Sequence, residues 1–327
     1  VQMILAKLLK RVNVLGDCFE SRALSTFLPF VAAEPVVLPV PRWQVGSDEW
    51  VHPDLRALRL ELWNLVRSPI EIRWLRGLRL QLQPRNEICR GIFVTGAYEP
   101  CEFFFLGKLL RHRMVFVDIG ANIGLYTLFA SRGVGSEGAV LALEPSVREY
   151  TRLRANVEAN RLDNVRVRQV AASNNTSDGE LLVADEEHAG HNTLGTFGYS
   201  GVTVENRQRV TVRPLDDIID AERLSRVDII KMDIEGAESL ALLGMKRTLE
   251  EFRPLVLFEL SDRTLSSQGC SSQEIRDFLR EIDYHIYRLD EVSGLPVRTQ
   301  CKPWQDTENV VAVHSALRRE WFDHWLT

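Results

Sequence analysis

The stretch VFVDIGANIGLYTLFASRG, Val115 to Gly133, runs an apolar strand-like segment into a tight turn and out into a helical pattern. A glycine-rich turn between a strand and a helix most often holds a nucleotide. Here Gly120 and Gly124 fit neither G-x-G-x-x-G nor G-x-x-x-x-G-K-[ST]. Asp118 stands at the strand's end, where its carboxylate would face a ligand lying over the turn. A pyrophosphate would meet like charge there, a repulsion on the order of 4 kcal/mol at ~4 Å and an effective dielectric near 20. The turn therefore suits a ligand that carries positive charge.

Outward from this turn, strand and helix alternate. GAVLALE reads as a strand, SVREYTRLRANVEANRL as a helix with Ser146 as N-cap, and VRVRQVAAS as the third strand. An irregular stretch containing GELLVAD and RVTVRPL follows. The alternation resumes with the strand VDIIKMDI, the helix GAESLALLGMKRTLEEF, the strand RPLVLFELS and the helix SSQEIRDFLREI, and YHIYRLD and NVVAVH close the chain as strands. Such alternation predicts an α/β fold, a mostly parallel seven-stranded sheet with helices on both faces. Ligands of that architecture sit outside the carboxyl ends of the strands.

Residues 1–100 read as a small N-terminal α+β extension and 101–327 as the main domain. The opening VQMILAKLLKRVNVLG has the spacing of an amphipathic helix, and AEPVVLPVPRWQVGSDEWVHP that of an irregular arm. DLRALRLELWNLV has helical spacing, whereas residues 70–100 alternate as strands punctuated at Pro84–Asn86.

The chain has 327 residues, a net charge of −5 and no long basic run, so nothing marks a nucleic-acid footprint; Arg73, Arg76 and Arg79 read as a solvated face. No apolar run approaches the ~20 residues of a membrane span. The five cysteines, at 18, 89, 101, 270 and 301, lack paired C-x-x-C spacing and read as thiols in a reducing compartment, which predicts a cytoplasmic protein.

The second strand ends in Glu144-Pro145, where an acid can accept hydrogen bonds from both hydroxyls of a ribose. A ligand with an adenosine and a cation but no phosphate satisfies Asp118 and Glu144 together, and S-adenosylmethionine is such a ligand. The blocks FVDIGANIGLYTLFAS, LALEPSVREYTRLRANVEAN, DDIID, VDIIKMDIEGAESLALLG and RPLVLFEL, over roughly Gly96 to Leu260, resemble the FkbM family of S-adenosylmethionine-dependent methyltransferases, with KMDIEGAE as the most specific element. The resemblance implies a class I, Rossmann-like methyltransferase fold. It also implies an O-methyltransferase acting on a hydroxyl of a small metabolite, a sugar or a polyketide-type natural product, with S-adenosylhomocysteine as product. It implies that Asp118, Gly120, Ala121, Asn122 and Gly124 shape the methionine end of the cofactor site and that Glu144 takes the ribose. Ala171 or Ala172 stands where many class I enzymes put a polar residue against the adenine, so backbone groups or Ser173 would substitute.

An alcohol is a poor nucleophile, so a base or a metal must help it lose its proton. Lys231, Asp233 and Glu235 share one side of a strand by the period of two, with Asp233 near its carboxyl end beside the cofactor. Lys231 could simply pair with either acid, and Glu238 could serve the dipole of the next helix. Glu259 follows a buried apolar run, and EEHAGHNTL carries His188 and His191, histidine being the base best poised near neutral pH. The expected catalytic residues are His191, Asp233, Glu235 and Glu259, and Asp233 is also expected to touch the cofactor. A divalent ion on Asp233, Glu235, Glu259, Asp262 and His191 is the less favoured arrangement, and no metal is assigned. The expected partner is a hydroxylated small molecule, with the N-terminal arm lending homodimer contacts or part of the acceptor pocket. N- or C-methylation and a non-catalytic interaction module are the alternatives.

Overall fold

The computed structural model describes residues 36–37, 53–75, 77–291, 293–298 and 307–317. The predicted opening helix, nearly all of the proline-rich arm, Arg76, Cys18 and Cys301 lie outside them. The chain divides into two compact units, Val1–Tyr98 and Glu99–Thr327.

In the first unit, strand β1 (Val36–Val37) runs parallel to β2 (Ile70–Trp74), which pairs antiparallel with β3 (Leu78–Leu82); helix α1 spans Pro53–Trp63. The strand reading of residues 70–100 fails after Asn86. Glu87–Thr95 is a helix, α2, because Asn86 caps it by accepting from Cys89 N at 2.9 Å and Gly96 ends it in the left-handed conformation.

The second unit opens with α3 (Pro100–Leu109), then β4 (Val115–Ile119), α4 (Leu125–Val134), β5 (Ala139–Leu143), α5 (Val147–Ala159) and β6 (Val165–Arg168). Next come β7 (Ala171–Ala172), β8 (Ser177–Ala184), β9 (Val204–Arg213), α6 (Leu215–Ala221), β10 (Ile229–Met232), α7 (Glu238–Leu243) and α8 (Lys246–Phe252). The unit ends with β11 (Leu255–Ser261), α9 (Asp262–Ser266), α10 (Ser272–Glu281), β12 (Tyr284–Leu289), β13 (Pro296–Arg298) and β14 (Thr307–His314).

The main sheet has the order β13-β12-β14-β11-β10-β4-β5-β6. Strands β6, β5, β4, β10 and β11 are parallel, and β14 is antiparallel between β11 and β12. This is the expected mostly parallel, Rossmann-like sheet, with an eighth strand, β13, added at the edge by a hairpin with β12. The order reverses beside β4, so the carboxyl ends of β4, β5 and β10 border the crevice where such folds bind ligands. One sheet face is apolar: Val117, Ile119, Ile230, Met232, Val256 and Phe258 pack against Ile218 of α6, Leu242 of α7, Leu249 of α8 and Leu279 of α10. On the other face α3 and α4 meet through Phe103, whose ring stacks on Tyr126 at 4.5 Å and meets Phe129 edge-on at 5.1 Å. Among the described residues no helix is long and apolar enough to cross a membrane.

Three sequence expectations are corrected here. The predicted third strand, Val165 to Ser173, breaks after Arg168, and β7 pairs with β9 instead of continuing beside β5. The stretch read as irregular is an antiparallel hairpin, β8–β9, which with β7 makes a second, three-stranded sheet. The predicted single helix after β10 is interrupted at Gly244, where a Cβ would lie 1.8 Å from the carbonyl oxygen of Ser173, so backbone meets backbone too closely for any side chain. Ser146 does stand at the N-cap of α5, but its hydroxyl donates to Glu149 instead of capping a backbone N–H.

Candidate active site

The turn after β4 is stitched to β5. The N–H groups of Gly120 and Ala121 both donate to Leu143 O at 3.0 Å, and that of Asn122 donates to Glu144 Oε2 at 2.8 Å. Ile123 N donates to Asn122 Oδ1 at 2.7 Å and Gly124 N to Ala121 O at 2.8 Å. Every N–H from Gly120 to Gly124 thus has a protein acceptor, and none points out as a phosphate cradle would require. Gly120 is obligatory: its φ is +78°, and a Cβ there would sit 1.9 Å from Asp233 O. Asn156 of α5 braces the turn by donating from Nδ2 to Ile123 O at 2.9 Å.

Above the turn lies a partly open cleft at the carboxyl ends of the strands, where folds of this kind bind ligands. Ile119, Gly120 and Asn122 line its floor, Glu144 and Pro145 one side, and Asp233, Ile234 and Ala237 the other. Val170, Ala171, Ala172, Leu181 and Leu194 make an apolar wall, and Ala189, Gly190 and Asn192 border the cleft from the segment between β8 and β9. That segment is tied across the cleft. Asn122 Nδ2 donates to Ala189 O at 3.0 Å, Asn192 Nδ2 to Glu149 Oε2 at 3.0 Å, and Thr193 Oγ1 to Glu235 O at 2.9 Å.

Of the residues expected to bind a cofactor, Gly120, Asn122, Glu144, Ala172 and Asp233 line this cleft. Asp118 does not; it is 1% exposed and accepts from Thr127 Oγ1 at 2.5 Å beneath the turn. Burial pushes its carboxyl up to about 6 against the pull of Thr127 and Lys231. Its side chain follows the sheet's pleat onto the face covered by α4, so its charge acts from below the ligand space and not at its wall. Ala121 is buried, and Gly124 serves packing, since a Cβ there would lie 2.5 Å from Leu153 Cδ1. Glu144 presents a carboxyl that already accepts from two backbone N–H groups, those of Asn122 and Ser146, each at 2.8 Å. Burial, and next the charge of Glu149, still push it up to about 8.

The expected catalytic residues lie together: His191 pairs with Glu235, and Asp233 and Glu259 stand beside Glu235. Glu235 is not on the strand with Lys231: β10 ends at Met232, and Glu235 occupies the following turn with φ +50°. From there its carboxylate meets His191 Nδ1 at 2.7 Å, joining elements 44 residues apart. Tyr199 lies against the His191 ring at 4.7 Å, whereas His188 turns to Asp185 at 2.9 Å. Asp233 is about one-third exposed on the cleft wall, 3.4 Å from Lys231 Nζ. Glu259 lies within β11; burial, then the charges of Asp233 and Glu235, push its carboxyl well above the usual range and favour its neutral form.

One oxygen each of Asp233, Glu235 and Glu259 falls within 4.8 Å of the others, a donor set suited to a hard divalent cation. Asp262 is not with them: it accepts from Ser272 N at 2.7 Å and Ser272 Oγ at 2.9 Å at the start of α10. Glu238 accepts from Ile234 N at 3.1 Å and Gly236 N at 2.9 Å, holding the turn that carries Glu235, and burial pushes it up to about 8.

Sequence reading named Ala171 and Ala172 of the apolar wall but missed Val170, Leu181, Leu194 and Asn192. The period-two patterns of GELLVAD and RVTVRPL carried a hairpin signal, but the long connection between them hid the pairing.

The family model for the FkbM methyltransferase domain matches residues 118–286. The 2-O-methyltransferase NoeI of Sinorhizobium fredii is 28% identical over 214 residues, 62% of this chain and 86% of that protein. Methyltransferase 1 of Beauveria bassiana is 24% identical over 160 residues, 45% of this chain and 64% of that protein. The crystal structure of an FkbM methyltransferase from Methylobacillus flagellatus aligns with 82% of this chain and 60% of its own at 20% identity, with a TM-score of 0.40. The chain thus spans less than two thirds of the length of the last two.

Proposed function

The chain belongs to the FkbM methyltransferase family, and we propose that it is an S-adenosylmethionine-dependent O-methyltransferase whose acceptor is a hydroxyl of a small metabolite or sugar. The turn supports this donor, because its N–H groups are all engaged, Asp118 lies beneath it and Asp233 stands on the cleft wall, an environment that repels phosphate and favours a cation. Gly120, Asn122 and Asp233 would border the methionine end, Glu144 would accept from the ribose, and Val170, Ala171, Leu181 and Leu194 would cover the base. When bound, the donor supplies a methyl group on sulfonium that is already activated for in-line displacement.

The chain's own part is to align the acceptor, exclude water and take a proton. The choice of a hydroxyl acceptor rests on the His191–Glu235 pair. A carboxylate on Nδ1 fixes the ring's orientation and tautomer and makes its other nitrogen more basic, as a neutral alcohol requires. Glu259, whose neutral form burial favours, would donate to an acceptor oxygen, while Asp233 supplies negative charge at the cleft wall.

The test is calorimetric titration of S-adenosylhomocysteine, followed by transfer of labelled methyl from S-adenosylmethionine to a panel of hydroxylated and amine acceptors. Binding, with transfer confined to hydroxyls, is expected. Absence of binding to the unaltered chain overturns the donor, and transfer to amines alone overturns the acceptor.

A further inference from the structure

Lys231 is a buried cation that the mechanism above leaves without a task. It lies on β10 in register with Asp118 of β4, 1% exposed, on the sheet face covered by α3 and α4. Its Nζ stands 3.4 Å from Asp233 and 4.9 Å from the centroid of the Tyr126 ring. The acids that face it come from several elements: Glu99 and Glu102 at the start of α3, Asp118 on β4, Asp233 beyond β10, and Glu259 on β11, while α4 contributes the Tyr126 ring. Burial alone would drive a lysine toward neutrality, but these acids more than offset it and raise the ammonium above its ordinary range.

The surroundings hold that ammonium in one place. Tyr126 OH donates to Glu99 Oε2 at 2.6 Å, and Asn309 Nδ2 donates to Glu99 Oε1 at 3.2 Å and Glu102 Oε1 at 2.9 Å. Glu99 keeps this arrangement with φ +42°, a backbone conformation that an L side chain rarely adopts. The network is wholly polar, built in from four elements, and ends at the one acid, Asp233, that also lines the cleft. A surface ion pair could be lost with little effect; a desolvated cation fixed on several sides cannot follow a partner that moves.

We propose that Lys231 is a positioning residue for methyl transfer: its buried ammonium fixes the Asp233 carboxylate on the cleft wall, and through Asp233 it sets the affinity for the methyl donor. The proposal rests on the donor reading above. Lys231 touches neither donor nor acceptor and acts only through Asp233.

A double-mutant cycle on S-adenosylhomocysteine affinity tests it, using calorimetry of the full chain as wild type, Lys231→Met, Asp233→Asn and the pair. Each single variant should bind about ten-fold more weakly, and the double variant no more weakly than the weaker single. In turnover, Lys231→Met should raise the KM for the donor and leave that for the acceptor unchanged. Additive losses, or an unaltered affinity in Lys231→Met, overturn the proposal while leaving the donor reading intact. Failure of the wild type to bind overturns both. Should Lys231→Met not fold, Lys231→Gln, which keeps a donor without the charge, takes its place in the cycle.

Discussion

Replacing Gly120 by alanine tests the tightness of the turn on which the donor site depends. At φ +78° an alanine pays the left-handed penalty of about 1–2 kcal/mol. Its Cβ would also arrive 1.9 Å from Asp233 O, so the chain after β10 must retreat by more than 1 Å. That retreat strains the Asp233 N to Ile119 O hydrogen bond of 3.0 Å, and overpacking of this kind costs about 1–3 kcal/mol more. Gly201 is the control: its φ of +92° carries the same backbone penalty, but a Cβ there meets nothing within 4 Å. The two variants should therefore differ by the contact contribution alone. At about 2–4 °C per kcal/mol for a unit of this size, Gly120→Ala should melt at least ~2 °C below Gly201→Ala in differential scanning calorimetry. Because the displaced carbonyl belongs to Asp233, Gly120→Ala should also lose most of its affinity for S-adenosylhomocysteine, while Gly201→Ala keeps it. Equal melting temperatures together with equal affinities would refute the reasoning, since the turn would then have slack that the geometry denies.

Replacing His191 by asparagine should lower kcat by roughly 10²- to 10⁴-fold with S-adenosylhomocysteine affinity unchanged, and Glu235→Gln should act in the same direction; steady-state kinetics beside calorimetry separates the two effects. Glu238, held up at about 8, stays protonated in the fold at pH values where the unfolded chain has ionised. Its contribution is therefore complete below its unfolded pKa and is lost as pH rises toward 8, so the melting temperature should fall over that range. Glu238→Gln should flatten that slope, although it lowers the melting temperature overall by depriving one backbone N–H of its acceptor. Chelation by EDTA should leave turnover unchanged; a loss restored by magnesium would instead assign the Asp233, Glu235 and Glu259 oxygens to a divalent cation.

The strand–turn–helix of Val115–Gly133 and the alternation that follows were legible because they are local: apolar periods of two and of 3.6 reflect which face each element buries. Gly120 stood out because only glycine takes a left-handed turn at such close backbone approach. Asp118 and Glu144 were legible as acids at strand ends, yet the direction of Asp118 was not. The pleat turns it under α4, where Thr127 and Lys231 meet it, and no spacing rule reports the far side of a sheet.

Asn86 shows a local signal outweighed in reading by its neighbours, since alternation suggested strands where a capping residue and a terminal glycine build a helix. The β8–β9 hairpin was hidden by the segment that connects its strands, whose Asn192 and Thr193 and backbone at Ala189 find their partners in Glu149, Glu235 and Asn122, residues distant in sequence. By itself, then, the sequence determined the parallel α/β core, the glycine turn and the acids at its rim, all consequences of backbone sterics and hydrophobic period. Tertiary structure alone decided that Glu235 meets His191 across 44 residues and that Lys231 lies buried among acids from α3, β4 and β11. Those pairings arise from where the sheet's twist and the helix packing bring distant chain segments, and they are stable only after burial has removed the water that would otherwise separate the charges.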